Sequence, residues 1–92
     1  MNCKNIILLG ATGSIGKSTL NLIRQDREKF NLIGISAYKQ TEKLKIISDE
    51  FNVKYVSYFK NDKDIKFNKN TKIMKGYTGL LELASLNCDV VV

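Results

Sequence analysis

Residues 10–19 read "GATGSIGKST" and directly follow the apolar run "NIILL" at Asn5–Leu9. A short unbroken apolar run is the pattern of a parallel strand buried on both faces. The stretch leaving it carries glycine at three-residue intervals, Gly10, Gly13 and Gly16. One reading makes these glycines a cradle for the pyrophosphate of a dinucleotide. The other takes Ala11–Ser18 as a relaxed P-loop closed by Lys17 and Ser18. Both put unpaired backbone amides at the start of a helix, where an anion is stabilised.

The rest of the chain separates the two. A P-loop enzyme needs a second metal anchor, an acid at the end of an apolar strand. Here the runs end in Gly10, in Tyr38-Lys39 and in Phe59-Lys60, and Asp89 precedes its apolar run instead of following it. Ala11 also stands where the P-loop pattern opens on glycine. A dinucleotide site instead needs a second strand ending roughly 20 residues past the loop, at the group that meets the adenosine ribose. Lys39 lies 23 residues past Gly16, at the end of "NLIGISAY", with no acid from Ser36 to Thr41. A cation there suits a 2′-phosphate, so the pattern points to NADP and not NAD.

The expected roles follow. Gly10 allows the tight exit from the strand, Gly13 lets the backbone approach the pyrophosphate, and Gly16 lets the helix pack closely on the sheet. Thr12 and Ser14 offer hydroxyls, and the Ser14 and Ile15 amides face the phosphate. Lys17 is expected to be solvated.

Working outward, a helix is expected over 15–25 with Leu20 and Ile23 facing a sheet, then a second strand over 31–38. "TEKLKIISDEF" has helical spacing through Leu44, Ile47 and Phe51, with Thr41 as N-cap. "KYVSYF", 54–59, reads as a third strand, whose Tyr55, Tyr58 and Phe59 are expected to pack and not to form a base-stacking platform. Residues 60–72 read as a loop or a poorly specified helix, and 72–76 as a short extended piece. A last helix over 78–86 carries Leu80, Leu81 and Ala84 on one side, and Asp89–Val92 opens a buried strand. The order predicts an α/β fold, a Rossmann-like doubly wound parallel sheet cut off after about four strands. Residues 1–92 are expected to be the incomplete N-terminal domain of a longer protein.

Composition sets the outer bounds. With 92 residues and 43% hydrophobic content the chain has room for one small domain. Fifteen basic against nine acidic residues give +6, but the lysines are scattered rather than gathered as a nucleic-acid tract. Two cysteines and no histidine leave too few ligands for a structural zinc site. Cys3 and Cys88 are expected to be small buried hydrophobes in a reducing cytoplasm. With the first strand reached within about four residues, no signal or transit peptide is expected.

"GATGSIGKSTL", "AYKQ", "EFNVKYVSYFKND" and "GYTGLLELASLNCDVVV" together resemble the N-terminal portion of the 1-deoxy-D-xylulose 5-phosphate reductoisomerase family. The resemblance implies an NADPH phosphate loop at Thr12, Gly13, Ser14 and Ile15, and a basic residue near the 2′-phosphate at Lys39. Tyr38 stands where that family usually has glycine, and Gln40 where it has asparagine. The resemblance also implies a homodimeric oxidoreductase and isomerase of the non-mevalonate isoprenoid pathway. Such an enzyme uses NADPH and a divalent metal, magnesium or manganese, to convert 1-deoxy-D-xylulose 5-phosphate to 2-C-methyl-D-erythritol 4-phosphate. The family's catalytic residues and metal ligands have no counterpart in residues 1–92, so none is assigned here, and the chain alone is expected to be inactive. The alternatives are a P-loop-type nucleotide-binding module and a small basic nucleic-acid-binding module.

Overall fold

The computed structural model describes residues 3–92. The apolar runs form five strands, β1 (Lys4–Leu8), β2 (Phe30–Ala37), β3 (Tyr55–Tyr58), β4 (Lys72–Lys75) and β5 (Val90–Val91). Three helices connect them, α1 (Ser14–Gln25), α2 (Thr41–Phe51) and α3 (Gly76–Ala84). Every pairing is parallel, in the order β4-β3-β2-β1-β5. The chain therefore builds outward from β1 to β4, then returns to pair on the other side of β1. That reversal leaves a crevice at the carboxyl ends of β1 and β5, where open α/β sheets bind their ligands.

The doubly wound α/β expectation holds, but with five strands and not about four. "KIMK" pairs with β3 along its whole length, from Tyr55 opposite Lys72 to Tyr58 opposite Lys75. No helix forms between β3 and β4. The polar run there lacks apolar spacing that could bury a helical face, and its loop is held instead by side chains. The Asn61 amide donates to the Ile65 carbonyl and its oxygen accepts the Ile65 N–H, both at 2.7 Å.

Side chains divide into two layers. Ile6, Leu8, Ile35, Ala37, Val56 and Tyr58 pack against Leu20 and Ile23 of α1 and Leu44 and Ile47 of α2. Burying side chains of this size contributes about 2 kcal/mol each. The opposite face, with Ile7, Ile33 and Met74, is covered by Leu83 of α3. Helices α1 and α2 are fastened by Arg24, which donates to both Glu50 carboxylate oxygens at 2.6 and 2.7 Å. That contact raises the Arg24 pKa and lowers that of Glu50. No helix among the described residues is long and apolar enough to cross a membrane.

Three expectations fail, each for a local reason. In α3 the buried leucine is Leu83, while Leu81 is exposed. Gly79 sits so close to the Met74 backbone that a Cβ would lie 2.4 Å from the Met74 carbonyl carbon, and this contact sets the rotation of the helix. Val90, Val91 and Val92 are exposed because β5 is an edge strand, paired on its β1 side only. Cys3 is exposed and Cys88 half-buried, so neither is a fully buried hydrophobe.

Alanine normally favours a helix over glycine by about 1 kcal/mol. Gly79→Ala should reverse that sign and destabilise the chain by about 1–3 kcal/mol, because the clash is with backbone. Gly34→Ala should cost less, since the one close contact of its Cβ would be with the end of the Leu83 side chain, and Ile7 and Tyr55 lie at ordinary distances. Urea unfolding of the two variants checks the order.

Candidate functional site

The turn after β1 is held by one residue of the neighbouring strand. Ser36 of β2 accepts the Ala11 N–H on its carbonyl at 2.8 Å and the Gly10 N–H on its hydroxyl at 3.1 Å. Gly10 takes a φ of +67°, a left-handed conformation that favours glycine, as its expected role requires. Gly13 then donates to the Gly10 carbonyl at 3.1 Å and closes the turn.

The two remaining glycines differ from each other. A Cβ on Gly16 would lie 2.5 Å from the Ala11 carbonyl oxygen and 2.6 Å from that of Gly10. Gly16 thus seats α1 against the turn itself and not, as expected, against the sheet. A Cβ on Gly13 would meet only the Gly10 carbonyl, at an ordinary 3.5 Å, so nothing inside the fold demands glycine at position 13.

Helix α1 begins at Ser14, and the first intrahelical bond runs from the Lys17 N–H to the Gly13 carbonyl at 2.9 Å. The amides of Ser14, Ile15 and Gly16 precede that bond and have no intrahelical acceptor. No side chain caps them, and no acid lies in the first turn. Thr12 is half-buried, while Gly13, Ser14 and Ile15 are exposed at the mouth of the turn. Lys17 is exposed as expected.

Helix α2 offers a contrast. Thr41 was expected to cap it, but Thr41 is its first residue and is fully buried. The Thr41 N–H instead donates to the Asp62 carboxylate at 3.3 Å, and the hydroxyl lies 2.8 Å from Asn61 Oδ1 and 2.9 Å from Asp62 Oδ1. The Thr41 hydroxyl holds the Asp62 carboxyl below its ordinary pKa. An internal acid already occupies this helix start.

Between these helices lie Tyr38, Lys39 and Gln40, all exposed. The Tyr38 carbonyl accepts the N–H groups of Phe59 at 2.9 Å and Lys60 at 3.0 Å, which ties the end of β2 to the end of β3. Because β1 and β2 are adjacent and parallel, the glycine turn and Lys39 share one edge of the sheet. Lys39 stands three residues beyond Ser36, the residue that holds the turn. All nine sequence-predicted residues therefore gather at the carboxyl edge of β1 and β2.

Three contributors were not foreseen as such: Ser36, Asp62 and Phe59. Ser36 had a signal, a hydroxyl inside an apolar strand, because buried polar groups need partners. Asp62 had none, since its loop lacks periodicity. Phe59, expected to pack in the core or at its edge, is exposed and stacks on Tyr38, with centroids 5.4 Å apart and planes at 15°. Tyr58 is buried and Tyr55 half-buried, as expected.

Residues 6–92 match the family model for 1-deoxy-D-xylulose 5-phosphate reductoisomerase. The chain belongs to that family. A reductoisomerase of this name from Clostridium tetani is 43% identical over 97% of this chain and 25% of its own length. One from a Thermoanaerobacter species is 41% identical over 97% of this chain and 24% of its own. The chain thus spans about a quarter of the length of these relatives. Among solved structures, the Zymomonas mobilis reductoisomerase in complex with NADPH superposes with a TM-score of 0.87 at 25% identity, covering 98% of this chain and 25% of that one. A reductoisomerase bound to NADPH, fosmidomycin and magnesium superposes with a TM-score of 0.84 at 29% identity, over 96% of this chain and 23% of that one.

Two outcomes test this geometry. Ser36→Ala removes the acceptor of the Gly10 amide and should destabilise the chain by about 1 kcal/mol in urea melts. Thr41→Val should raise the Asp62 pKa, as followed by carboxyl-carbon NMR. Because folding lowers that pKa, the contact's contribution is present above the unfolded carboxyl pKa and is lost as pH falls through the folded value.

Proposed function

We propose that this chain is the NADPH-binding part of a 1-deoxy-D-xylulose 5-phosphate reductoisomerase, the enzyme that isomerises and reduces its substrate to 2-C-methyl-D-erythritol 4-phosphate. The observation that carries the reading is the uncapped start of α1, set at the crevice beside the glycine turn and on the same sheet edge as Lys39. Family membership supports it, as does the fold shared with a reductoisomerase bound to NADPH.

In this reading the Ser14, Ile15 and Gly16 amides hold the pyrophosphate, assisted by the hydroxyls of Thr12 and Ser14. Gly10 and Gly16 fix the turn that presents them, and the bare Cα of Gly13 lets the phosphates approach. Lys39 pairs with the 2′-phosphate, flanked by Tyr38 and by the Gln40 amide. When bound, NADPH would supply hydride-transfer chemistry, and the residues here would bind and orient it. The divalent metal has no fitting site among the described residues, where no cluster of three His, Cys, Asp or Glu side chains occurs. No step of the metal's chemistry is assigned to this chain. The complete enzyme is proposed to act in the cytoplasm as a homodimer.

Parallel titrations with NADPH and NADH test the reading. NADPH should bind more tightly, and Lys39→Ala should cost NADPH about 1–3 kcal/mol while leaving NADH unchanged. Equal affinity for the two cofactors in the unmodified chain would contradict the assignment of Lys39. ATP binding that depends on Lys17 and magnesium would contradict the cradle as a whole.

A further inference from the structure

Lys39 and Gln40 bridge β2 and α2, and both ends of that bridge rest on one loop. On one side the Tyr38 carbonyl accepts the Phe59 and Lys60 N–H groups at 2.9 and 3.0 Å. On the other, the Thr41 N–H donates to Asp62 Oδ1 at 3.3 Å. The Thr41 hydroxyl adds contacts of 2.8 Å to Asn61 Oδ1 and 2.9 Å to Asp62 Oδ1. Residues 59–62 therefore hold the backbone on both flanks of Lys39.

The loop that makes these contacts is itself tied down. The Asn61 side chain closes it on Ile65 through two bonds of 2.7 Å. Phe67 stacks on the buried Tyr58 of β3, with centroids 5.9 Å apart and planes at 20°. At its far end the buried Thr71 hydroxyl donates to the Val53 carbonyl at 3.1 Å. A line of contacts thus runs from the β3 core through the loop to Thr41, two residues from Lys39.

Asp62 is the link in that line where the side chain decides the contact. Lys43 and Lys63 line the same shallow cleft, yet Asp62 forms no ion pair among the described residues. Its oxygen goes instead to the first amide of α2, which has no acceptor within the helix. An acceptor supplied from 21 residues away fixes where the helix begins, and so where the residues before it stand.

We propose that Asp62 is a positioning residue for cofactor choice: by holding Thr41 it sets the place from which Lys39 meets the 2′-phosphate. This rests on the NADPH reading and adds to it a residue that does not touch the cofactor. A negative charge near a phosphate opposes binding, so what Asp62 contributes is the position of an acceptor oxygen. Asparagine keeps such an oxygen without the charge, whereas alanine removes both.

Parallel NADPH and NADH titrations of the chain and its variants test the role. Asp62→Ala should lower the preference for NADPH over NADH about fivefold, the scale of one lost hydrogen bond, with NADH affinity unchanged. Asp62→Asn should keep the preference. In a Lys39→Ala background, Asp62→Ala should change the ratio no further, because both substitutions act through the same contact. Thermal melts report whether each variant folds. Thr41→Val, which keeps the buried volume and loses only the hydroxyl, should lower the preference in the same direction if Asp62→Ala does not fold. Folded Asp62→Ala or Thr41→Val chains with the full preference would overturn the role of Asp62 and leave the cofactor reading standing. So would an equal gain in NADPH affinity for Asp62→Asn and Asp62→Ala, which would show that the carboxylate acts by charge alone. If the unmodified chain does not prefer NADPH, both readings fall.

Discussion

Two hydrogen bonds to Ser36 fix the turn after β1, one accepted by its carbonyl and one by its hydroxyl. They lock the end of β1 to the end of β2 at the crevice where the sheet order reverses. Gly16 then seats α1 directly on the carbonyls of Gly10 and Ala11, closer than any side chain would permit. With the helix start pinned there, its first amides are presented as a fixed set of donors. An anion binding to such a set meets dipoles that are already oriented, so little reorganisation opposes binding.

The two helices on that face begin at the same edge of the sheet yet differ in electrostatics. Helix α2 carries an acid of its own at its start, where Asp62 accepts from Thr41. Helix α1 has no acid in its first turn and no capping side chain. An external anion therefore meets an occupied terminus at α2 and a free one at α1. Lys39 lies just before α2 and adds a positive charge without closing either terminus. Away from this edge, Arg24 and Arg27 lie over the Phe51 ring at 5.4 and 4.5 Å and pair with Glu50, holding α1 to α2. Those ion pairs are partly exposed and worth at most about 1 kcal/mol each, so the burial of Leu20, Ile23, Leu44 and Ile47 does more to hold the helices in place.

Local pattern and long-range contact divide what the sequence made legible. The strand before Gly10, the glycine spacing, the α1 and α2 faces and the position of Lys39 all follow from periods and offsets within short windows. What the windows lacked were contacts between distant residues. Ser36 meets the turn across 26 positions, and Asp62 meets Thr41 across 21. The rotation of α3 depends on how Gly79 sits on Met74, a backbone contact that hydrophobic spacing does not encode. β4 has only four residues with polar ends, so it read as no more than a short extended piece until β3 supplied a partner. Whether Phe59 packs in the core or at its edge was open from the apolar run alone; it lies one residue past the strand, where its ring stacks on Tyr38 at the rim.

The most direct measurement is the set of backbone amide chemical shifts of the chain during titration with NADPH. The largest changes should fall on Thr12–Gly16, with a second group at Tyr38–Gln40 in which the change at Lys39 is lost when NADH is used. Changes confined to other surfaces, with Ser14, Ile15 and Gly16 unmoved at saturation, would contradict the claim that the turn after β1 is the phosphate cradle.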